Sequence, residues 1–435
     1  MGKTEWDNAC TQVNACALTG ATAFFAGIPD AVVVVNGPLW CSFYARRYLE
    51  KQCPSLPERF FCSQADNEAV VYGTEACLLE TLATVKEKSS PSVLLIINNC
   101  SVGLIGDDLA GIARQAEFDC PVVCMDGGGL SGGFWEGYRA AVQKFFEKVE
   151  LQPRRTINLG TVNLLGLSFG YYNAANDVQE LEGMLIMAGY RVQACPGLGT
   201  SVSEMEAMSH SELNLVVHEE LGGELARQLK KQYGMSYISL LPPYGIEQTL
   251  LWLKNVGTYM QLKSKDALNL LEKEANSKQQ TIRTAVTDME RIWGDLWFEN
   301  AVVAAPASVA MGMARALRLE WADVGKLTVV AHDGLPSLIP PQCVDSILDG
   351  GADSEELQMR LRSLPGGLLL GSGSEKAFLR QQSVTDTVCC NISLPVYDEV
   401  VFTGRPFMGL RGAANLLERL WNGYATEKQR GVDSR

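Results

Sequence analysis

The sequence predicts an α/β fold in which parallel sheets are flanked by helices. Nine short apolar runs recur along the chain, and segments with helical spacing lie between most of them. The runs are 31–35, 93–97, 121–125, 157–166, 213–217, 237–241, 301–305, 327–331 and 367–371. This alternation is typical of parallel sheets covered by helices. Nine or more strands in 435 residues exceed one such unit, so we expect several Rossmann-like units, which the boundaries below divide into three domains. Ligands of such proteins bind at the carboxyl edges of the sheets where domains meet, so a central cavity is expected between the three domains.

The predicted domains are 1–155, 156–261 and 262–435. Unbroken aliphatic runs such as AVVVV (31–35) indicate strands that are buried on both faces of a sheet. The third domain opens with a polar segment of helix-favouring residues, Leu262–Trp297, which predicts a long linking helix. The remaining apolar runs are the predicted later strands of each domain.

Composition excludes several classes of protein. Hydrophobic residues make up 47% and charged residues 20%, as in soluble globular proteins. The net charge of −13 and the absence of a basic stripe argue against a nucleic-acid partner. The apolar runs are far shorter than the ~20 residues that span a bilayer, so no membrane association is expected. The opening MGKTEWDNAC lacks the layout of a signal peptide, and we expect a cytoplasmic protein.

Three of the thirteen cysteines occupy related positions. Cys41 and Cys100 each follow an apolar run and precede a helical stretch, and Cys16 also precedes one. Strand-to-helix turns of a parallel sheet share its carboxyl edge, where helix N-termini favour thiolates. Such an arrangement suits an iron–sulfur cluster, and so many thiols fit a reducing or anaerobic compartment. Spacing alone favours the alternative that these cysteines are small core residues.

Two segments combine such a cysteine with glycine-rich turns: CALTGATAFFAGIPDAVVVVNGPLWCSFY (16–44) and CSVGLIGDDLAGI (100–112). Both resemble the nitrogenase component 1 family, which comprises the molybdenum–iron protein and its relatives. The resemblance continues in order through 157–194, 212–253 and 394–422. It covers nearly the whole chain.

The resemblance implies that Cys16, Cys41 and Cys100 are ligands of an iron–sulfur cluster. Gly103 and Gly106 would let the backbone approach that cluster, and Asp107–Asp108 would start the next helix. A 4Fe-4S cluster is expected, with a larger P-cluster type as the alternative. Its fourth ligand would come from a partner subunit or from Cys10.

Partners follow from the same resemblance. Family members pair with a homologous subunit, so we expect a heterodimer or a homodimer. No G-x-x-x-x-G-K-[ST] motif occurs in the chain, and ATP hydrolysis would belong to a separate P-loop iron protein.

Departures from the family pattern concern the usual cofactor site. His218 stands where a cysteine binds the iron–molybdenum cofactor, and Glu399 falls where the family has a histidine. We therefore expect no iron–molybdenum cofactor. Instead, His218 would face the central cavity as a proton donor or ligand, because the ordinary pKa of histidine lies near physiological pH. Glu219, Glu220 and Glu399 are further polar candidates there.

Three functions remain open at this point. The first is a subunit of an iron-protein-dependent reductase that relays low-potential electrons through its cluster to a small-molecule substrate. The second is a scaffold for assembly of a nitrogenase-type metal cofactor, and the third is a noncatalytic partner that shares a cluster. Two short segments match the sequence patterns of other functional sites, but we expect neither to have that function. GSGSEK (371–376) reads as a plain strand–helix turn, and GLSFG (166–170) reads as a chance match to a hydrolase motif around Ser168.

Overall fold

The computed structural model describes residues 15–260, 265–333, 342–401 and 403–433. Across these residues the fold is α/β, with three parallel-sheet domains flanked by helices, as the sequence predicts. Contacts divide the chain into two compact units. One comprises Asn14–Tyr171 and Val192–Ile238, and the other is built on Tyr172–Arg191 and Ser239–Arg435. The three predicted domain boundaries and the central cavity stay predictions.

The first sheet contains four parallel strands in the order β2-β1-β3-β4. The strands are β1 (Ala31–Asn36), β2 (Phe60–Cys62), β3 (Val93–Asn98) and β4 (Val122–Asp126). The helices are α1 (Ala17–Ala26), α2 (Leu39–Leu49), α3 (Asn67–Tyr72), α4 (Glu75–Lys88), α5 (Cys100–Ile105), α6 (Leu109–Gln115) and α7 (Phe134–Lys148). Every residue of β1 and β3 is buried, because these central strands are covered on both faces.

The second sheet has the order β6-β5-β7-β8, and β5 pairs with β7 in parallel. Its strands are β5 (Asn158–Leu165), β6 (Arg191–Ala194), β7 (Ser211–Val216) and β8 (Ser236–Ser239). The helices in this part of the chain are α8 (Ala174–Met187), α9 (Val202–Glu206), α10 (Glu219–Tyr233) and α11 (Ile246–Tyr259).

The third sheet contains five parallel strands in the order β11-β10-β9-β12-β13. The strands are β9 (Trp297–Ala305), β10 (Asp323–Ala331), β11 (Ser346–Asp349), β12 (Leu368–Gly371) and β13 (Val388–Asn391). The helices are α12 (Lys265–Trp293), α13 (Ala307–Ala316), α14 (Ser354–Arg362), α15 (Gly373–Gln381) and α16 (Gly409–Asp433). A π-helical turn, Leu317–Trp321, follows α13.

All nine predicted strands are present, and the predicted linking helix is α12. That helix ends at Trp293 and not at Trp297, because Gly294 adopts φ +77° and β9 begins at Trp297. Part of the predicted start, 261–264, lies outside the described residues. The sequence did not predict β2, β6, β11 and β13, four short strands at sheet edges. Of the helices that the structure describes, none is both long enough and apolar enough to cross a bilayer.

The strand order reverses once in each sheet, beside its first strand. The reversal lies between β1 and β3, between β5 and β7, and between β9 and β12. Ligands of open parallel sheets bind at the carboxyl ends of the strands at such points. The loops that follow these six strands are therefore the first places to look for a functional site.

Candidate functional site

Cys41 and Cys100 flank the reversal point of the first sheet. The two central strands pair up to Asn36 and Asn98, and the chain then enters α2, with Cys41 in its first turn, and α5, which begins at Cys100. Cys16 is the N-cap residue of α1, and its backbone forms an isolated antiparallel β-bridge with that of Gly133. All three cysteines therefore lie at helix N-termini, where amide groups and the helix dipole favour a thiolate.

Asn99 links the two turns. Its side-chain Nδ2 donates to Cys41 Sγ at 3.6 Å, and its Oδ1 accepts from the amide of Val102, which caps α5. A Cβ on Gly37 would lie 2.4 Å from the Asn99 side chain, so the turn before Cys41 needs glycine. The Asn99 side chain therefore connects the turn that carries Cys41 to the first turn of α5, which begins at Cys100.

Two glycines after β4, Gly128 and Gly129, lie beside the side chains of Cys16 and Cys100, and we call them the glycine floor. The amide of Gly129 donates to Cys100 Sγ at 2.9 Å. A Cβ on Gly128 would lie 2.6 Å from Cys100 Sγ, and a Cβ on Gly129 would lie 3.8 Å from Cys16 Cβ and 3.9 Å from Cys100 Sγ. A bare backbone that donates to a thiolate suits an iron–sulfur cluster, whose sulfurs accept amide hydrogen bonds. The thiols and the two glycines therefore fit an iron–sulfur cluster.

Sequence reasoning did not assign Gly128 and Gly129 to the cluster, because nothing local in the sequence places the loop after β4 beside Cys100. It chose Gly103 and Gly106, which are exposed on and beside α5. A Cβ on Gly103 would approach Asp126 at 3.5 Å, and Gly106 ends α5 with φ +79° and open space around it. Their predicted role at a cluster stays a prediction. The acidic pair behaves partly as expected: Asp108 caps α6, whereas Asp107 accepts from the amide and hydroxyl of Thr74.

The thiols lie within electrostatic reach of one another. Burial raises the pKa of the Cys41 thiol, the hydrogen bond from Asn99 lowers it, and the neighbouring thiolates of Cys16 and Cys100 raise it again. Cys62, at the end of β2, adds to this effect and contacts the carbonyl of Gly37 at 3.4 Å. The raised pKa keeps Cys41 protonated in the absence of metal, and a bound cation would favour the thiolate form.

Among the described residues, no group of three or more His, Cys, Asp or Glu converges closely enough to hold a single metal ion. This geometry differs from a zinc site, in which all ligands meet at one point. In a cluster each thiolate binds a different iron, so the ligands stand apart. Cys10, the predicted alternative ligand, lies outside the described residues.

Apolar side chains surround the cysteine turns without being covered. Trp40 is 69% exposed, and its ring stacks with that of Tyr44 at 6.3 Å. Other exposed apolar residues on these segments are Leu39, Phe43, Val71, Tyr72, Leu104 and Leu130. Exposed apolar patches on soluble proteins mark surfaces for protein partners.

His218 follows β7, beside the reversal point of the second sheet, and begins α10 as its N-cap residue. Its ring meets Tyr171 edge-to-face at 4.9 Å, and its carbonyl would lie 2.3 Å from a Cβ on Gly166. Burial lowers the pKa of His218 to about 3. The expectation of an ordinary pKa is therefore wrong, because the imidazolium loses its hydration, and the ring is neutral at pH 7.

The two glutamates after His218 have separate surroundings. Glu220 accepts from the hydroxyl of Tyr171 at 2.8 Å, and that hydroxyl accepts from the indole of Trp135 at 3.1 Å. Glu219 pairs with Arg227 at 2.9 Å on the same helix. Glu220 therefore joins a polar network with the buried side chains of Tyr171 and Trp135, next to His218.

Glu399 lies in the other compact unit. It accepts from Arg419 at 2.7 Å and from the Asn391 side chain at 2.9 Å. It also lines a cavity of 460 Å³ that is formed by the segments before α8 and before and within α16. A common cavity for His218 and Glu399 stays a prediction.

The two short motifs have structural roles. In GSGSEK, Ser372 and Glu375 form a capping box that satisfies the first amides of α15, as expected of a plain turn. In GLSFG, Ser168 is fully buried and accepts from the amide of Gly170. A buried hydroxyl of this kind is not an exposed nucleophile.

A known protein family matches most of the chain, including the three cysteine turns. The family model described as nitrogenase component 1 type oxidoreductase matches residues 16–424. The chain belongs to this family. The match begins at Cys16 and includes all three cysteine turns.

Three relatives show the range of this nitrogenase component 1 type family. A nitrogenase iron-molybdenum cofactor biosynthesis protein NifE of Methanococcus maripaludis is 22% identical over 83% of this chain and 75% of its own length. A subunit of the light-independent protochlorophyllide reductase of Heliobacterium modesticaldum is 27% identical over 55% of this chain and 46% of its own length. The solved structure "Nitrogenase Cp1 at pH 6.5" is 15% identical, covers 97% of this chain and 94% of that chain, and has a TM-score of 0.75. This last similarity shows the shared fold.

Proposed function

We propose that the chain is a subunit of a nitrogenase-like reductase that binds an iron–sulfur cluster and relays low-potential electrons to a small-molecule substrate. The observation that carries the proposal is the set of three cysteine turns at one sheet edge, above the bare backbone of Gly128 and Gly129. Membership of the nitrogenase component 1 type family supports it. We place the protein in the cytoplasm.

Cys16, Cys41 and Cys100 would hold the cluster, with a 4Fe-4S cube as the first expectation and a larger P-cluster type as the alternative. Such a cluster supplies one-electron transfer at low potential. Asn99 orients the Cys41 thiol, and the Gly129 amide stabilises negative charge on the Cys100 sulfur. The neighbouring helix N-termini add partial positive charge at the same edge.

Partner subunits follow from the surroundings of these cysteines. Three local thiolates leave one iron of a cube without a ligand from this set. The exposed aromatic side chains of Trp40, Tyr44 and Tyr72 surround the site and fit a protein interface. We propose that a homologous subunit, or a second copy of the chain, covers this surface and completes the ligand set. A separate P-loop iron protein would supply electrons.

His218 and Glu399 remain candidates for contact with the substrate. Since His218 is neutral, it would accept or share a hydrogen bond and would not act as a cationic proton donor. We expect no iron–molybdenum cofactor, because the cysteine and histidine ligands of the family are replaced by these two residues.

A second candidate function is a scaffold for cofactor assembly. The NifE relative matches 83% of this chain, and its name describes iron-molybdenum cofactor biosynthesis. A scaffold would release its metal group to an acceptor protein, whereas a reductase would retain it through turnover. Retention of iron during incubation with an iron protein and MgATP therefore separates the two functions.

The proposal is tested by iron and sulfide content together with EPR on anaerobically purified protein. Cys41→Ala should lose most of the iron and the reduced-state EPR signal. Cys77→Ala is the matched control, because Cys77 lies on α4 and contacts the carbonyl of Thr74. Full iron content and an unchanged EPR signal in Cys41→Ala would contradict the assignment. Stoichiometric molybdenum in the wild-type protein, lost in His218→Ala, would make His218 a cofactor ligand instead.

A further inference from the structure

The 460 Å³ cavity beside Glu399 has the size of a small-molecule site, since such sites span roughly 300–1,000 Å³. It lies within one compact unit, among Tyr172 and Asn173 before α8, residues 399–401, 403, 405 and 407, and α16. Its walls combine apolar surface from Val400, Val401 and Phe407 with several polar groups. Those polar groups define what the cavity is able to bind.

One buried acceptor in the wall has no hydrogen-bond partner among the residues that the structure describes. Asn415 Nδ2 donates to the carbonyls of Pro406 at 2.9 Å and Arg405 at 3.4 Å, which fixes the orientation of the amide. Its Oδ1 is then buried without a hydrogen bond to any described residue, and the residue is only 8% exposed. An unsatisfied buried acceptor destabilises the site, and a ligand with an N–H or O–H group would satisfy it.

Two donors in the same wall are available for a negative group. The Arg405 guanidinium is 55% exposed, and its contact with Glu418 at 3.9 Å joins two exposed groups, so the pairing is weak. The Tyr172 side chain lines the same cavity. Burial and the charge of Glu399 raise the pKa of Tyr172, so its hydroxyl stays protonated and is able to donate.

The second arginine of the cavity is already neutralised. Arg419 pairs with Glu399 at 2.7 Å and stacks over the Phe407 ring at 5.4 Å. One weakly paired guanidinium and one hydroxyl match a single carboxylate better than a phosphate, which carries more charge. The apolar surface from Val400 and Val401 accommodates the rest of the ligand.

We propose that this cavity binds a small carboxylate that carries an N–H or O–H donor on an apolar body. The carboxylate contacts Arg405 and Tyr172, and the donor contacts Asn415 Oδ1. The lining of the cavity, the buried Asn415 acceptor and the donors of Arg405 and Tyr172 support the binding site. Its role as the substrate site rests on the proposed reductase function.

The test is isothermal titration of pyrrole-2-carboxylate, which joins one carboxylate to a ring N–H. Iron-loaded wild-type protein should bind it saturably. Pyrrole-2-carboxamide lacks the charge and 1-methylpyrrole-2-carboxylate lacks the donor, so each should bind at least about tenfold more weakly. Arg405→Gln should weaken binding of the acid by about tenfold or more, and Tyr172→Phe by about fivefold. Arg380→Gln, an exposed arginine on α15 that pairs with Asp398, is the control and should bind normally.

Absence of saturable binding, equal affinity for all three probes, or unchanged affinity in Arg405→Gln would each overturn the proposal. Thermal unfolding of each variant confirms that the fold is retained. Because binding is measured on protein of known iron content, a wild type that holds iron but binds no probe contradicts this inference alone. A wild type that binds the probe but holds no iron contradicts the proposed function alone.

Discussion

Asp177 is expected to make the closing segment of the chain sensitive to pH. Its Oδ1 accepts from the amides of Phe407 at 2.6 Å and Met408 at 2.9 Å, just before α16. The side chain is fully buried, and this burial raises its pKa from 3.8 to about 7, although the two amide hydrogen bonds lower it and Glu180 raises it. Asp177→Asn keeps the accepting oxygen and removes the charge.

The sign and size of the effect follow from this shift. A pKa that is raised in the folded state contributes stability that is complete below the unfolded pKa and is lost as pH rises through the folded pKa. Between pH 5 and pH 8, a shift from 3.8 to about 7 removes about 2.5 kcal/mol, or a factor of about 70. Asp177→Asn lacks this loss, so its advantage over the wild type should grow by that amount.

Hydrogen exchange at the amides of Phe407 and Met408 provides the assay, because opening of this segment returns the carboxylate to water. After correction for the intrinsic exchange rates, protection in the wild type should fall about 70-fold more than in Asp177→Asn from pH 5 to pH 8. Asp288→Asn, an exposed aspartate on α12, is the control and should follow the wild type. Parallel pH profiles for Asp177→Asn and the wild type would refute the reasoning.

Three further predictions concern the cluster site, the start of α11 and His218. Gly128→Ala should lower the iron content, because its Cβ would lie 2.6 Å from Cys100 Sγ, whereas Gly183→Ala, with open space around it, should not; equal iron in both variants would argue against the glycine floor. Glu320→Ala should destabilise the start of α11 by about 1–2 kcal/mol, because Glu320 accepts from the amide of Ile246 at 2.6 Å as a helix cap; unchanged urea denaturation would contradict this role. The ring nitrogens of His218 should show no titration in ¹⁵N NMR between pH 5 and pH 8, since burial lowers its pKa to about 3; a midpoint near 6.5 would show that the ring is hydrated.

The sequence alone predicts the parts of the fold that depend on local pattern. Central strands such as β1 and β3 are unbroken aliphatic runs because helices cover them on both faces. The positions of Cys41 and Cys100 at helix N-termini were also predictable, since a strand-to-helix turn follows from the switch in hydrophobic period, and Cys16 precedes a stretch with helical spacing.

Four of the edge strands, β2, β6, β11 and β13, escaped prediction for a physical reason. β2, with the sequence FFC, and β6, with RVQA, are short and only partly buried, so they carry little apolar pattern. Their strand conformation comes from pairing with a central neighbour, which is a long-range contact. Composition within such a segment does not record that neighbour.

Tertiary structure alone decided the chemistry of the candidate sites. Gly128 meets Cys100 only because β3 and β4 pair side by side, and the sequence separation of 28 residues conceals this contact. His218 is an ordinary histidine in the sequence, and its low pKa arises from burial by surrounding elements. The cavity at Arg405 is lined by residues far apart in sequence, since Asn173, 232 positions earlier, donates to the Arg405 carbonyl. Sequence periodicity specifies which faces are buried, whereas the identity of the groups that meet is set by how distant elements pack.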